Sequence, residues 1–383
     1  MKKIKLLIVF LLIWTTSFSQ IVFNKILEDT LNHVACGVID IDTGYIVVTG
    51  SRNEFFIRCF ALRYIGNNGN YNWKRTYTDD VNELWEGKDN FKSDCGILYL
   101  AGTKKNTITG EIGVFINTFD NCLDLNTNFI LLEDIGWKQA LNQICTENFY
   151  YIVGQYHIET EDKYSSMLIK SDINGNLIWK KLYGSIAEGS STIFKNYENN
   201  LIIGGITGSF SPPFNNSKWY IIKADTAGNL IWEKAFGHNS RNNGGIKDLI
   251  ETSDSNILAC GVYPAAKYGS GNDQYLFDGC LRKIDFGGNL LWEKYYRSYI
   301  LSHTGHIYFQ NNIYSVCEKN EHLYVLGWNY GYVSWKDRAY LTKMDKNGNI
   351  LWKREYYAID TNSYSQWLVS FKPTNDNGFI LAG

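Results

Sequence analysis

The residues with the most evident chemistry stand in a repeated acidic turn. Asp172, Gly175 and Trp179 recur as Asp225, Gly228 and Trp232, as Asp285, Gly288 and Trp292, and as Asp345, Gly348 and Trp352. Alternating oxygen ligands such as Asp172, Asn174 and Asn176 open an EF-hand calcium loop. That loop closes on a bidentate Glu at its twelfth position, where this chain has Tyr183, so the turns read as hairpin punctuation. His303 and His306 form an HxxH, and His33 and Cys36 an HxxC. On a strand, a three-residue step sends two ligands to opposite faces, and no third ligand stands in reach, so no metal site and no other cofactor is expected. Glu188, Asp273 and Asp278 are carboxylates near loop positions, but linear spacing joins none of them to a partner for nucleophilic or general acid/base work.

Aromatic residues gather in three stretches between strand-like segments. These hold Phe210, Pro212, Pro213 and Phe214; Tyr263, Pro264, Tyr268 and Tyr275; and Trp328, Tyr330, Tyr332 and Trp335. Three of the four prolines fall here, which implies shaped loops. Loops on a rigid scaffold carry binding, and exposed rings suit sugars or extended peptides. Phe210, Phe214, Tyr263, Tyr268, Trp328, Tyr332 and Trp335 are therefore the candidate binding residues. The alternative is that these rings close over the ends of the strands.

Two landmarks define the elements that must hold these loops. One is an apolar strand ending in Gly, at 45–50, 97–102, 150–154, 201–205, 257–261, 323–327 and 379–383. The other is the turn and the strand after it, whose Trp falls at 73, 179, 232, 292 and 352. Asp120 to Phe129 fills the gap between the first two as a degenerate copy without Trp, and Phe23 to Leu27 resembles the strand that begins at Trp179. Seven copies at a period of about 50 to 66 residues signal a propeller or an array. Within the period that starts at Leu201, four short strands are expected: Leu201 to Gly205, Trp219 to Lys223, Leu230 to Phe236 and one near Ile246 to Glu251. The fold class is thus all-β, a β-propeller of about seven four-stranded blades whose last blade is incomplete. Along the strand after the turn, Trp179, Lys181 and Tyr183 share a face, as do Trp232, Lys234 and Phe236, and this face suits packing between blades.

Composition agrees. Aromatic residues make up 15% of 383, with 27 Tyr and 12 Trp against 4 Pro, as in an ordered chain rich in strands. Lys2, Lys3 and Lys5 precede the apolar run Leu6 to Trp14 and small polar residues, the pattern of a secretory signal peptide cleaved between Ser19 and Gln20. The run is short for a bilayer span, so residues 20–383 are expected to be one exported propeller domain with no membrane span after cleavage. Removing those three lysines from 37 leaves 34 basic against 39 acidic residues, a net of about −5 with no basic run, which argues against nucleic acid. The eight cysteines lack CxxC spacing, and Cys260 with Cys280 is the one pair whose placement invites a disulfide.

At the turn motif the chain resembles the secreted bacterial repeat proteins of the type IX secretion route, with repeats that read D-x-x-G-N-x-x-W and then G-[FY]-I-[IL]-x-G. Gly378 to Gly383 fits the second part. The resemblance covers essentially the whole mature chain and implies a secreted or cell-surface protein that crosses the periplasm in transit. Quinoprotein dehydrogenase and sialidase propellers are more distantly similar. Their Asp, Gly and Trp are spaced differently from Asp172, Gly175 and Trp179, and neither an adjacent Cys pair nor an arginine triad is evident. Two functions follow as expectations: a non-catalytic binding or scaffold module for glycan, peptide or protein, and alternatively a quinoprotein-like or glycan-cleaving enzyme. Because the sequence stops on the Gly-ending strand, a truncated reading frame is expected, with the ring otherwise closing by pairing of Phe379 to Gly383 with the strand around Phe23.

Overall fold

In the computed structural model the described residues are 34–41, 43–52, 58–68, 70–77, 82–94, 97–120, 124–134, 138–158, 161–184, 188–209, 217–237, 244–268, 274–296, 300–301, 307–308, 311–329, 338–356, 368, 370–374 and 378–382. The signal segment, its cleavage point and Phe23 to Leu27 lie outside them. Every long element is a strand, because β-branched and aromatic residues alternate between punctuating Gly, Asn and Asp. Six antiparallel four-stranded sheets follow one another in sequence. Blade one comprises Val34–Ile41, Gly44–Arg52, Arg58–Gly66 and Tyr71–Tyr77; blade two, Asn82–Asp94, Ile97–Asn106, Ile112–Phe119 and Leu125–Asp134. Blade three comprises Lys138–Cys145, Phe149–Ile158, Lys163–Asp172 and Leu177–Tyr183; blade four, Gly189–Lys195, Leu201–Thr207, Lys218–Ala224 and Leu230–Phe236. Blade five comprises Ile246–Glu251, Ile257–Tyr268, Gln274–Ile284 and Leu290–Tyr296; blade six, Asn311–Lys319, His322–Asn329, Arg338–Met344 and Ile350–Tyr356. A seventh sheet holds two strands, Ser370–Pro373 and Phe379–Ala382. The first strands touch one another in order, and that of the seventh sheet touches that of blade one, so the ring closes at seven positions.

The boundaries of each blade sit one strand earlier than the sequence suggests. Ile246–Glu251 does not complete the sheet of Leu201–Thr207; it pairs with Ile257–Tyr268 and opens blade five. Each blade thus begins at the axis and ends at the periphery. Middle strands are apolar on both faces, since neighbouring blades cover both: Lys218–Ala224 is buried along its whole length. Outer strands such as Leu177–Tyr183 remain largely exposed.

Both landmarks have a local cause. In the turn, Asn176 N–H donates to Asp172 Oδ1 at 2.7 Å, Asn176 Nδ2 donates to Oδ2 at 2.7 Å, and Gly175 takes the left-handed conformation at φ 79°. The carboxylate is therefore spent on its own turn, and Asp225, Asp285 and Asp345 repeat the arrangement. The degenerate copy does so as well, with Asp124 N–H donating to Asp120 Oδ1 at 2.8 Å. The strand-ending glycine answers to a bulge in the first strand. Ser191 is extra between Ser190, which faces Gly205, and Thr192, which faces Gly204. The first strand there crosses so closely that a Cβ on Gly205 would overlap the Gly189 carbonyl, and one on Gly154 the Gln139 carbonyl.

Blades three to six join by docking an outer strand on the next blade's turn. Tyr183 Oη donates to Gly228 O at 2.8 Å, and Tyr296 Oη donates to Gly348 O at 2.8 Å. Between these, Trp232 Nε1 donates to Phe286 O at 3.0 Å and Lys234 Nζ to Gly287 O at 3.1 Å. The expected disulfide is absent: Cys260 and Cys280 are free and buried. Cys260 faces Leu281 and Cys280 faces Gly261, one step out of register, so their side chains point to opposite faces.

Candidate functional site

The two rims of the ring are built differently. On one, the connections from first to second and from third to outer strands are tight turns, such as 196–200, 225–229, 285–289 and 345–349. The connections from second to third strands, and from each outer strand to the next blade, all open on the other rim. From blade four onward most of them lengthen, at 208–217, 237–245, 297–310, 330–337 and 357–369, while 269–273 in blade five stays short. Alternating strand direction forces this segregation.

The structure places the candidate residues unevenly. Phe210, Phe214, Tyr332 and Trp335 lie outside the described residues, as do Pro212, Pro213, Tyr330 and Asp273. Tyr268 and Tyr275 belong to strands, because the second and third strands of blade five run on to Tyr268 and start at Gln274, longer than the sequence pattern implies. Trp328 stands inside the second strand of blade six and is only 7% exposed. Tyr263 is half-buried and leans on Tyr295, ring centroids 4.8 Å apart.

Around Tyr263 lies a constellation that the motifs did not reveal. The Arg282 guanidinium, 2% exposed, sits 4.5 Å from the Trp219 ring and 5.3 Å from the Tyr263 ring. Its Nε donates to Glu293 Oε2 at 3.0 Å, and Trp219 Nε1 donates to Val262 O at 2.9 Å. A buried cation held by two rings and a carboxylate fixes the blade four to blade five seam just beneath the rim. A signal was available, since Arg282 occupies the place of Ile222 and Ile169 in the apolar strands of blades four and three.

At the seam between blades three and four, Glu188 is fully buried and accepts from Thr207 Oγ1 at 2.9 Å and from Ser209 Oγ. Gln155 Nε2 donates to its backbone carbonyl at 3.1 Å. The Glu188 carboxylate thereby anchors the start of the 208–217 loop. Tyr220 Oη donates to Glu233 Oε2 close by. Burial first, then the Glu233 carboxylate, push the Tyr220 hydroxyl well above the usual tyrosine range. Burial likewise pushes the Cys280 thiol up to about 12 despite the Arg282 charge. These groups stay neutral at physiological pH, which suits packing and hydrogen bonding; a nucleophile needs the opposite shift. Asp278, 1% exposed, faces Tyr263 across the sheet. Among the described residues no three His, Cys, Asp or Glu side chains gather in a group able to hold a metal ion.

No protein-family profile matches the chain, and no curated protein matches it. Among solved structures, it is similar to the acylaminoacyl peptidase of Pyrococcus horikoshii, with a TM-score of 0.48 and 14% identity over 91% of this chain and 49% of that one. It is similar to the β-propeller domain of the Trilobed protease from Pyrococcus furiosus, with a TM-score of 0.42 and 11% identity over 86% of this chain and 96% of that one. The Synechocystis apocarotenoid oxygenase gives a TM-score of 0.47 and 8% identity over 86% of this chain and 73% of that one. Likeness this distant assigns nothing to this chain. On its own strands the chain is a β-propeller, and among the described residues six blades have four strands and a further sheet two.

Proposed function

We propose that this is an exported propeller that acts as a non-catalytic binding or scaffold module at the cell surface or outside the cell, and recognises glycan or extended peptide through its long-loop rim. One observation carries this reading: every long connection opens on that rim, while the connections on the opposite rim are tight turns of two to five residues. A scaffold that standardises one end and diversifies the other presents variable loops from a rigid base. The lysine-led apolar segment at the N-terminus and the type IX resemblance support export.

The test is binding of the purified mature protein to glycan and peptide arrays, beside a Phe214→Ala, Trp335→Ala double variant. Loss of two anchoring rings should weaken binding at least tenfold, at about 1–2 kcal/mol per buried ring contact. Unchanged binding would remove the rim from consideration. Trp328→Ala is unsuitable for this purpose, since a buried ring reports on folding.

A further inference from the structure

The seam between blades five and six holds a cavity of about 80 Å³, room for several waters. Ile313, Val325, Met344 and Ile350 make its apolar walls. It is reached from the outer strand of blade six, where Ile350 is 51% and the Lys353 side chain 31% exposed. Three of its polar side chains are already engaged. Tyr340 Oη donates to Asn311 Oδ1, Asn311 Nδ2 donates to Tyr296 O at 2.8 Å, and Tyr296 Oη donates to the Gly348 carbonyl.

Two other lining groups have capacity to spare. Thr342, only 2% exposed, lines the cavity, and among the described residues its hydroxyl meets no hydrogen-bond partner. Lys353 stands opposite it across the sheet. Its Nζ lies over the Tyr340 ring, 4.1 Å from the centroid, and 3.7 Å from Glu355 Oε1, too long for a hydrogen bond. Arg338 draws on the other Glu355 oxygen at 3.4 Å. Burial holds the Lys353 amine below the usual lysine range, although the Glu355 charge opposes this. At the same place of their outer strands, blades four and five carry Glu233 and Glu293, engaged by Tyr220 and Arg282 of the third strand. Blade six reverses the charge and sets only a hydroxyl across from it, so this pair contains a cation but no carboxylate.

We propose that this seam is a binding subsite for a carboxylate on a short aliphatic chain, with its oxygens on Lys353 Nζ and Thr342 Oγ1 and its carbons against Ile313, Val325 and Met344. The chemistry matches at both ends. A carboxylate accepts from an ammonium and a hydroxyl together, in charge-assisted bonds, and the walls take apolar carbons out of water. The volume restricts the ligand to a few heavy atoms, far below a drug-sized molecule. Two sources supply such a group: a free short-chain acid, or the glutamate side chain of a bound peptide. The subsite lies at mid-strand, between the two rims, and does not depend on the long-loop rim.

The chain contains 3 methionines, Met1, Met167 and Met344, and the last gives a local probe. Met344 lines the cavity, whereas Met167 lies in a core cluster with residues of blade three. With the methionine methyl groups labelled with carbon-13, titration with propionate should move the Met344 signal saturably and leave the Met167 signal in place. Propionamide, of the same shape but uncharged, should bind roughly tenfold more weakly. Lys353→Gln should also cost roughly tenfold and Thr342→Val about threefold, whereas Thr342→Ser should stay within about twofold of the parent. An unmoved Met167 signal in each variant separates lost contact from lost fold. Glutamate blocked at both ends distinguishes the sources: tighter binding than propionate assigns the site to a peptide side chain, and weaker binding to a free acid. No movement of Met344 with either acid, equal binding of propionamide, or full binding by Lys353→Gln would each overturn the proposal.

Discussion

A single hydrogen at Gly154 leaves room for the Gln139 carbonyl, where a methyl group would collide with backbone that cannot yield. Gly154→Ala should therefore lower stability by about 2–4 kcal/mol in urea unfolding, with the slope of the transition unchanged. The glycine was legible in sequence as the end of an apolar strand. Its reason was not, because the bulge belongs to the first strand and appears only when the two are in register. Acidic residues give a second prediction at this scale. Backbone and side-chain bonds from Asn289 hold the Asp285 carboxyl below the usual range, and Asp225 and Asp345 follow with Asn229 and Asn349. At Asp254, desolvation pushes up but Lys283, Thr252 and Asn256 prevail and bring it down to about 2. A folded pKa below the unfolded one gives stability that is present above about pH 4 and lost as pH falls toward 2. Asp254→Asn should flatten this acid limb in urea titrations from pH 5 to 2. The effect is modest and reduced by salt, because the carboxylate is 46% exposed.

Outer strands and turns act together as joints. Tyr183 and Tyr296 each donate to the glycine carbonyl of the next turn, so either Tyr→Phe change should cost about 1 kcal/mol in thermal unfolding. Blade four supplies the converse, since Phe236 stands at the same place without a hydroxyl. Phe236→Tyr should gain a bond to Gly288 O and raise stability by about 0.5–1 kcal/mol. The turn and the strand after it were legible because Asp, Gly and Asn act within five residues of each other. Membership of the strand near Ile246 was not, since the period gives the order of strands but not the sheet that each one joins. Arg282 was missed for a related reason: its value lies in Trp219 and Tyr263, which belong to other strands and come together only at the seam.

Across the whole molecule, the two rims should respond differently to change. Replacement of 330–337, which joins the second and third strands of blade six, by a short Gly/Ser turn should leave the melting temperature within a few degrees, because loop length is thermodynamically cheap. The same replacement of 285–289 should unfold the seam, as this turn receives Trp232, Lys234 and Lys223 from blade four. Differential scanning fluorimetry of both variants checks the contrast. The number of blades was legible from the spacing of landmarks, while the seam of the ring depended on contact between the first and seventh sheets. The joints also have a direction: blades three, four and five each grip the turn of the next blade, blades three and five through a tyrosine hydroxyl and blade four through Trp232 and Lys234. Blades four and five are accordingly cassettes that receive the preceding blade on a turn and grip the following one by its turn. A duplication of the gene segment for residues 237–296 would set blade five beside a copy of itself, keeping the turn as socket but putting Gly279 where Trp219 now meets Arg282, so a ring that grows by whole steps must also repair that buried contact.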